Sequence, residues 1–187
     1  STASRLNTFT LILNGQLIRN NLHILIDGEN CESHFYGLYL LNGNTHADNH
    51  TVVDHKKPNS FSNEMYKGIM DGNSKGVFNG KIFVRPHAQK TNAFQSNRNI
   101  IVSDTATINT KPQLEIWADD VKCSHGCTSG QLDEEALFYL RSRGISEGNA
   151  KAMLLYAFAA EVLEPIQNET LKSYLDTLIA ERLQKNF

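Results

Sequence analysis

Three residues able to handle metal or sulfur stand at alternate positions in Val121-Lys122-Cys123-Ser124-His125-Gly126-Cys127. On a β-strand alternate side chains share a face, so Cys123, His125 and Cys127 would line one side. Thiolate and imidazole are the donors that select zinc, copper or iron–sulfur clusters. Three such groups along an extended strand span roughly 13 Å, at about 3.3 Å per residue, which is wide for one tetrahedral metal. Two of them joined by groups from elsewhere is the better chelate. The plain alternative is that both cysteines are small buried hydrophobes and His125 is satisfied by a hydrogen bond.

A second cluster is His46-Ala47-Asp48-Asn49-His50, followed by Asp54-His55. His46, Asp48 and His50 also alternate, and an H-x-x-x-H spacing with a carboxylate between could bind a metal; with no Cys nearby in sequence, we read them as polar teeth on the exposed face of a strand. Cys31 and His34 fit neither a tight chelate nor one strand face, and take structural roles. Several catalytic signatures are missing. The chain has no Walker A sequence, no G-x-G-x-x-G and no G-x-S-x-G elbow. Asp119-Asp120 and Glu134-Glu135 are paired acids, but they suit a turn and a helix start.

The elements that must position these residues fall into two textures. From Thr8 to about Leu132, short apolar runs alternate with turn residues. The runs include Phe9 to Leu13, Ile24 to Ile26, Leu38 to Leu41, Ile82 to Val84, Ile100 to Val102 and Leu114 to Trp117. Asn14-Gly15, Asp27-Gly28, Asn42-Gly43, Asp71-Gly72 and Asn79-Gly80 offer positive φ cheaply, and each is expected to mark a turn. The runs are too short for helices and rich in β-formers, so they predict strands. Stacked coils of a parallel β-helix and a β-sandwich both fit this pattern, and periodicity leaves the two open.

From Asp133 the pattern turns helical. Asp133 caps a first helix, with Glu134 and Glu135 in the first turn and Leu132 and Leu137 placed as a hydrophobic staple. Gly144 supplies a left-handed stop. Ser146 caps a second helix, expected to run to about Leu163 before Pro165 and apolar nearly all round from Met153 to Ala160. A third, about Glu169 to Gln184, carries Leu171, Tyr174, Leu175, Leu178, Ile179 and Leu183 on one stripe.

The balance of 18 basic and 20 acidic residues gives a formal charge of −2 over 187 residues. That argues against a broad electrostatic grip on nucleic acid or anionic lipid. No apolar run approaches the roughly 20 residues that cross a bilayer, and nothing near Ser1 is laid out as a secretory signal. Three cysteines cannot complete a disulfide framework, so a reducing, cytoplasmic setting is expected. The start at Ser1-Thr2-Ala3-Ser4, without Met, leads us to expect a piece of a longer parent.

Several blocks, in order, resemble the SufB/SufD family of the SUF iron–sulfur cluster assembly machine. They are Met65 to Ile69, Gly76 to Ile82, Ala88 to Ala93, Lys111 to Ile116, Asp119 to Gly126 and Phe138 to Ile145. The resemblance runs from about Asn49 to Ile166 and more weakly beyond. It sides with the SufD branch. The SufB branch typically reads His-Glu-Ala where this chain has His125-Gly126-Cys127. That branch also carries an essential cysteine on an earlier strand, whereas Phe94 to Asn99 has none. Cys127 itself departs from the Ala usual in the SufD branch.

The resemblance implies a right-handed parallel β-helix over residues 1–132 and a small C-terminal helical domain over 133–187. It also implies a non-catalytic scaffold that pairs with SufB through the β-helix ends and docks the SufC ATPase on its helices. Phe158, Leu171, Tyr174, Leu175 and Leu178 are then candidates for ATPase docking. His125 matches the family histidine implicated at the subunit interface, with Cys123 its neighbouring thiol and Cys127 an added one. No cofactor is expected to be held stably, only iron or an iron–sulfur cluster in transit. Without its sister subunit the chain is expected to form a homodimer. Two other readings compete: a zinc-binding protein using Cys123, His125 and Cys127, and a carbohydrate-active β-helix enzyme drawing on the histidines around His50.

Overall fold

The structure is a computed structural model that describes residues 1–186; residue 187, which the expected helical domain included, lies outside the described residues. Nine strands alternate between two parallel sheets. Strands β1 (Arg5–Ile12), β3 (Glu32–Leu41), β5 (Phe61–Met70), β7 (Asn92–Ile101) and β9 (Lys122–Gly130) form one sheet in that order. Strands β2 (Leu17–Ile26), β4 (His46–His55), β6 (Lys75–Val84) and β8 (Thr107–Ile116) form the other. Glu32, Phe61, Asn92 and Lys122 stack in register, so one turn takes about 30 residues and two strands. This is a parallel β-solenoid of about four turns, and the sandwich alternative is excluded because every strand pair is parallel.

Gly15, Gly43 and Gly72 hold positive φ between strands, as their Asn-Gly and Asp-Gly pairs predict. Asn79-Gly80 does not mark a turn. It lies in the middle of β6, where Gly80 faces the interior and an added Cβ would overlap the Gln95 side chain and the Phe78 ring. Here glycine provides room, not a bend.

The interior is apolar along Phe35, Tyr39, Ala47, Val53, Tyr66, Phe78 and Ile82. It also buries a polar set: Asn49, Thr51, Ser62, Glu64, Gln95, Asn97 and Asn99. Tyr39 Oη donates to Asn99 Oδ1 at 2.5 Å, and Asn97 Nδ2 donates back to Tyr39 Oη at 3.0 Å. Buried amides and hydroxyls cost stability unless paired; this network satisfies Tyr39, Asn97 and Asn99, whereas Asn49 Nδ2 and Gln95 Oε1 have no hydrogen-bond partner.

Helices α1 (Glu134–Ser142), α2 (Glu147–Ala160) and α3 (Glu169–Asn186) follow β9. Asp133 accepts from Glu135 N and Ala136 N, Ser146 accepts from Asn149 N, and Gly144 turns left-handed, as the sequence predicts. Helix α2 ends at Ala160 and not near Leu163; a turn through residues 161–165 tightens its exit. The helices do not cap the solenoid. Leu155, Ala159, Val162, Leu163, Ile179 and Leu183 pack sideways on Tyr36, Leu38, Leu40 and Ile69, the outward row of β3 and β5. Lys67, 1% exposed on that face, donates to the Phe158 carbonyl at 2.9 Å and pairs with Glu161. Its ammonium also lies 4.4 Å from the centre of the Phe158 ring.

Candidate functional site at the last turn of the solenoid

Strand β9 is the outermost strand of its sheet, and β8 the outermost of the other. Each therefore has a free backbone edge. The register places Cys123 over Ala93, His125 over Gln95 and Cys127 over Asn97. Ala93, Gln95 and Asn97 are buried interior residues, so the three candidate ligands stand on the inward row of the terminal turn. No further turn covers that row, which leaves His125 and Cys127 exposed and Cys123 half-buried. Val121 and Cys123 still contact the core beneath. Shared facing, expected from alternation, is what the backbone gives.

The two thiols differ. Partial burial pushes the Cys123 thiol above its ordinary range, against a smaller opposing hydrogen bond with the Ala93 backbone. A protonated thiol is a poor nucleophile and ligand until it loses its proton. Cys127 is solvent-exposed. Among the described residues no three His, Cys, Asp or Glu side chains converge on one point that could hold a metal, so the three-ligand zinc reading has no geometric support.

The second cluster is spent elsewhere. His46, Asp48 and His50 project outward from β4, on the opposite sheet. Asp48 pairs with Arg19 at 2.5 Å and with His50 at 2.9 Å. These are the surface teeth the alternation predicts. Cys31 is buried, with its thiol donating to the Ser1 carbonyl, and His34 bonds Glu32 at 2.7 Å. Both are structural, as expected.

Of the docking candidates, Phe158 and Leu175 pack toward the β face and Leu178 is half-buried. Leu171 and Tyr174 remain 44% and 61% exposed. Three further exposed side chains escape the sequence reading: Phe138 at 75%, Tyr139 at 57% and Met153 at 50%. Met153 rims a groove between α2 and α3 floored by Ala152, Tyr156 and Leu183. How the three helices pack decides which of their apolar residues stay outside, and no local pattern encodes it. The interior residues Glu64 and Gln95 were also missed, because a strand that buries polar residues does not alternate in hydropathy.

The chain is thus a parallel β-solenoid with Cys123, His125 and Cys127 on its open terminal turn and helices laid along its flank. The chain matches the family described as "SUF system FeS cluster assembly, SufBD core domain" over residues 1–158. The match begins well before Asn49, where the stronger part of the sequence resemblance starts. It is 41% identical to the iron–sulfur cluster assembly protein SufD of Escherichia coli, over 93% of this chain and 41% of that protein. An iron–sulfur cluster assembly SufBD family protein of Synechocystis is 41% identical over 92% of this chain and 38% of its own length. A SufBD family protein of Mycobacterium leprae is 31% identical over 95% of this chain and 47% of its own length. The chain belongs to the SufB/SufD family and is SufD-like. It spans less than half the length of these relatives. Among the described residues no helix is long and apolar enough to cross a membrane.

Proposed function

We propose that this chain is part of a cytoplasmic, non-catalytic scaffold subunit of the SUF system that pairs with SufB and docks the SufC ATPase. The cluster, or its iron, is the cargo and is assembled beside His125. The observation that carries the reading is the exposed inward row of β9, where His125, Cys123 and Cys127 stand at a free sheet edge. Such an edge is a template for another chain. A partner closing on β8 and β9 would bury that row and add the ligands that complete a coordination sphere. Imidazole and thiolate are both ligands of iron, free or in a cluster. In the absence of SufB, a second copy of this chain is the expected occupant, related by a two-fold axis.

The helical flank supports the ATPase half of the reading. Phe138, Tyr139, Met153, Leu171 and Tyr174 leave more apolar side chain in water than three short helices need. Point variants test this better than truncation, since removing α2 and α3 would bare Tyr36, Leu38, Leu40 and Ile69. The test of the whole reading is co-purification of the full-length protein with SufB and SufC. A stable complex of all three is expected. Recovery of the protein free of both would overturn the scaffold assignment.

A further inference from the structure

Beneath β9 lies a floor of three buried amides. Gln95 sits under His125, Asn97 under Cys127 and Asn99 under Ser129. Two of them are fully used. Asn97 Nδ2 donates to Tyr39 Oη and to the Tyr66 carbonyl, and Asn97 Oδ1 accepts from Asn99 Nδ2 at 2.8 Å. Asn99 also accepts from Tyr39 and donates to the Thr128 carbonyl of β9. Gln95 is different. Its Nε2 donates to Glu64 Oε2 at 2.6 Å, which anchors the donor end of the amide one turn below. Its Oε1 is buried and has no hydrogen-bond partner.

The rest of the surroundings holds Gln95 in place. Glu64 is 1% exposed, in register with Gln95, and beside the Thr51 hydroxyl. Gly80 on the facing strand leaves the space that the amide fills. An amide carbonyl without a partner in a buried position carries the desolvation penalty of a lost hydrogen bond. The residue stacked on it across the ladder is His125, about 4.8 Å away in backbone spacing and within reach of one imidazole. Among the side chains above the floor, an imidazole N–H is a full donor, whereas a thiol is a weak one.

We propose that Gln95, anchored by Glu64, is the positioning residue for His125. Gln95 Oε1 accepts the N–H of one ring nitrogen and leaves the lone pair of the other facing out of the open turn. A carbonyl oxygen accepts only from a protonated nitrogen, so the contact selects one tautomer. Histidines that ligate metals are commonly oriented this way through their other nitrogen. The consequence for cluster assembly rests on the reading of His125 given above; the orientation of the ring does not.

The test is long-range 1H–15N NMR of full-length protein labelled at histidine, at about pH 8.5, where an imidazole is neutral. The His125 signal is assigned by its loss in His125→Ala. In the wild type one tautomer should dominate. Gln95→Met, which keeps length but offers no acceptor, should shift the ratio about fivefold toward that of an unconstrained histidine side chain, the weight of one neutral hydrogen bond. Glu64→Gln keeps an acceptor for Gln95 Nε2 and should retain the wild-type ratio. A wild-type ratio equal to that of an unconstrained histidine side chain overturns the proposal, whatever the variants do; so does a ratio unchanged in folded Gln95→Met. The two readings fail separately. A biased tautomer together with normal cluster assembly by His125→Ala in cells would sink the functional reading alone. Loss of assembly in that variant with an unbiased wild-type ratio would sink the positioning role alone.

Discussion

Replacing Glu161 by Ala should loosen the helices from the solenoid. Lys67 is 1% exposed, and its ammonium has two polar partners, the Phe158 carbonyl and the Glu161 carboxylate. Removing one partner of a buried ion pair typically costs about 3–5 kcal/mol, because the other charge stays desolvated. Two features reduce that figure. The Glu161 side chain is 35% exposed, so water can replace it in part, and the Phe158 carbonyl and ring remain. We therefore expect a loss of about 2–3 kcal/mol. Lys67→Met together with Glu161→Ala should recover most of it, since no charge is then left buried. The pair also predicts a pH dependence. Lys67 beside Glu161 holds that carboxyl below its ordinary value of 4.5. A carboxyl depressed on folding contributes stability above its unfolded pKa and loses it as pH falls through the folded one. Urea unfolding followed by circular dichroism measures each variant. A Glu161→Ala protein within about 0.5 kcal/mol of wild type would refute this account of how the helices are fixed.

Three further outcomes follow from the same structure. His55 is fully buried, and burial lowers its pKa from 6.5 to about 4. The unfolded chain takes up that proton first, so stability should fall from about pH 6.5 to about pH 4, by roughly 3 kcal/mol in all; His55→Gln should flatten the fall, and an unchanged pH profile would contradict it. Gly80→Ala should destabilise by about 1–3 kcal/mol through overpacking against Gln95, read as a lower urea midpoint; an unchanged midpoint would mean that the interior yields. Leu171→Glu with Tyr174→Glu should leave the urea midpoint in place and weaken SufC binding about tenfold or more, since one well-placed apolar side chain is worth roughly 1.5–3 kcal/mol; wild-type affinity in a titration would move the docking face elsewhere.

The parts of the fold visible in the sequence are those set by local backbone demands. Asn42-Gly43 and Asp71-Gly72 mark turns because only residues tolerant of positive φ fit there, and Asp133 and Ser146 mark helix starts because free N–H groups need an acceptor. Strands β4 and β5, and all of β7 before Ile100-Ile101, are hidden for the opposite reason. Their inward rows hold Asn49, Thr51, Ser62, Glu64, Gln95 and Asn97, so the solenoid interior looks like surface when read along the chain. The same masking concealed the amide floor of the site. Alternation did place Cys123, His125 and Cys127 on one face. Their position on the terminal turn follows from the stacking of about four turns, which no window of the sequence contains.

The exposed inward row of β9 is proposed to serve cluster assembly, and that role is open to direct test. It is tested most directly by His125→Ala in the full-length protein, expressed in cells that depend on SUF for their iron–sulfur enzymes. His125 is exposed on an edge strand, so the variant should fold and should co-purify with SufB and SufC in wild-type amounts. Activity of the dependent iron–sulfur enzymes should be lost. Wild-type activity of those enzymes in cells carrying only the His125→Ala protein would contradict the account.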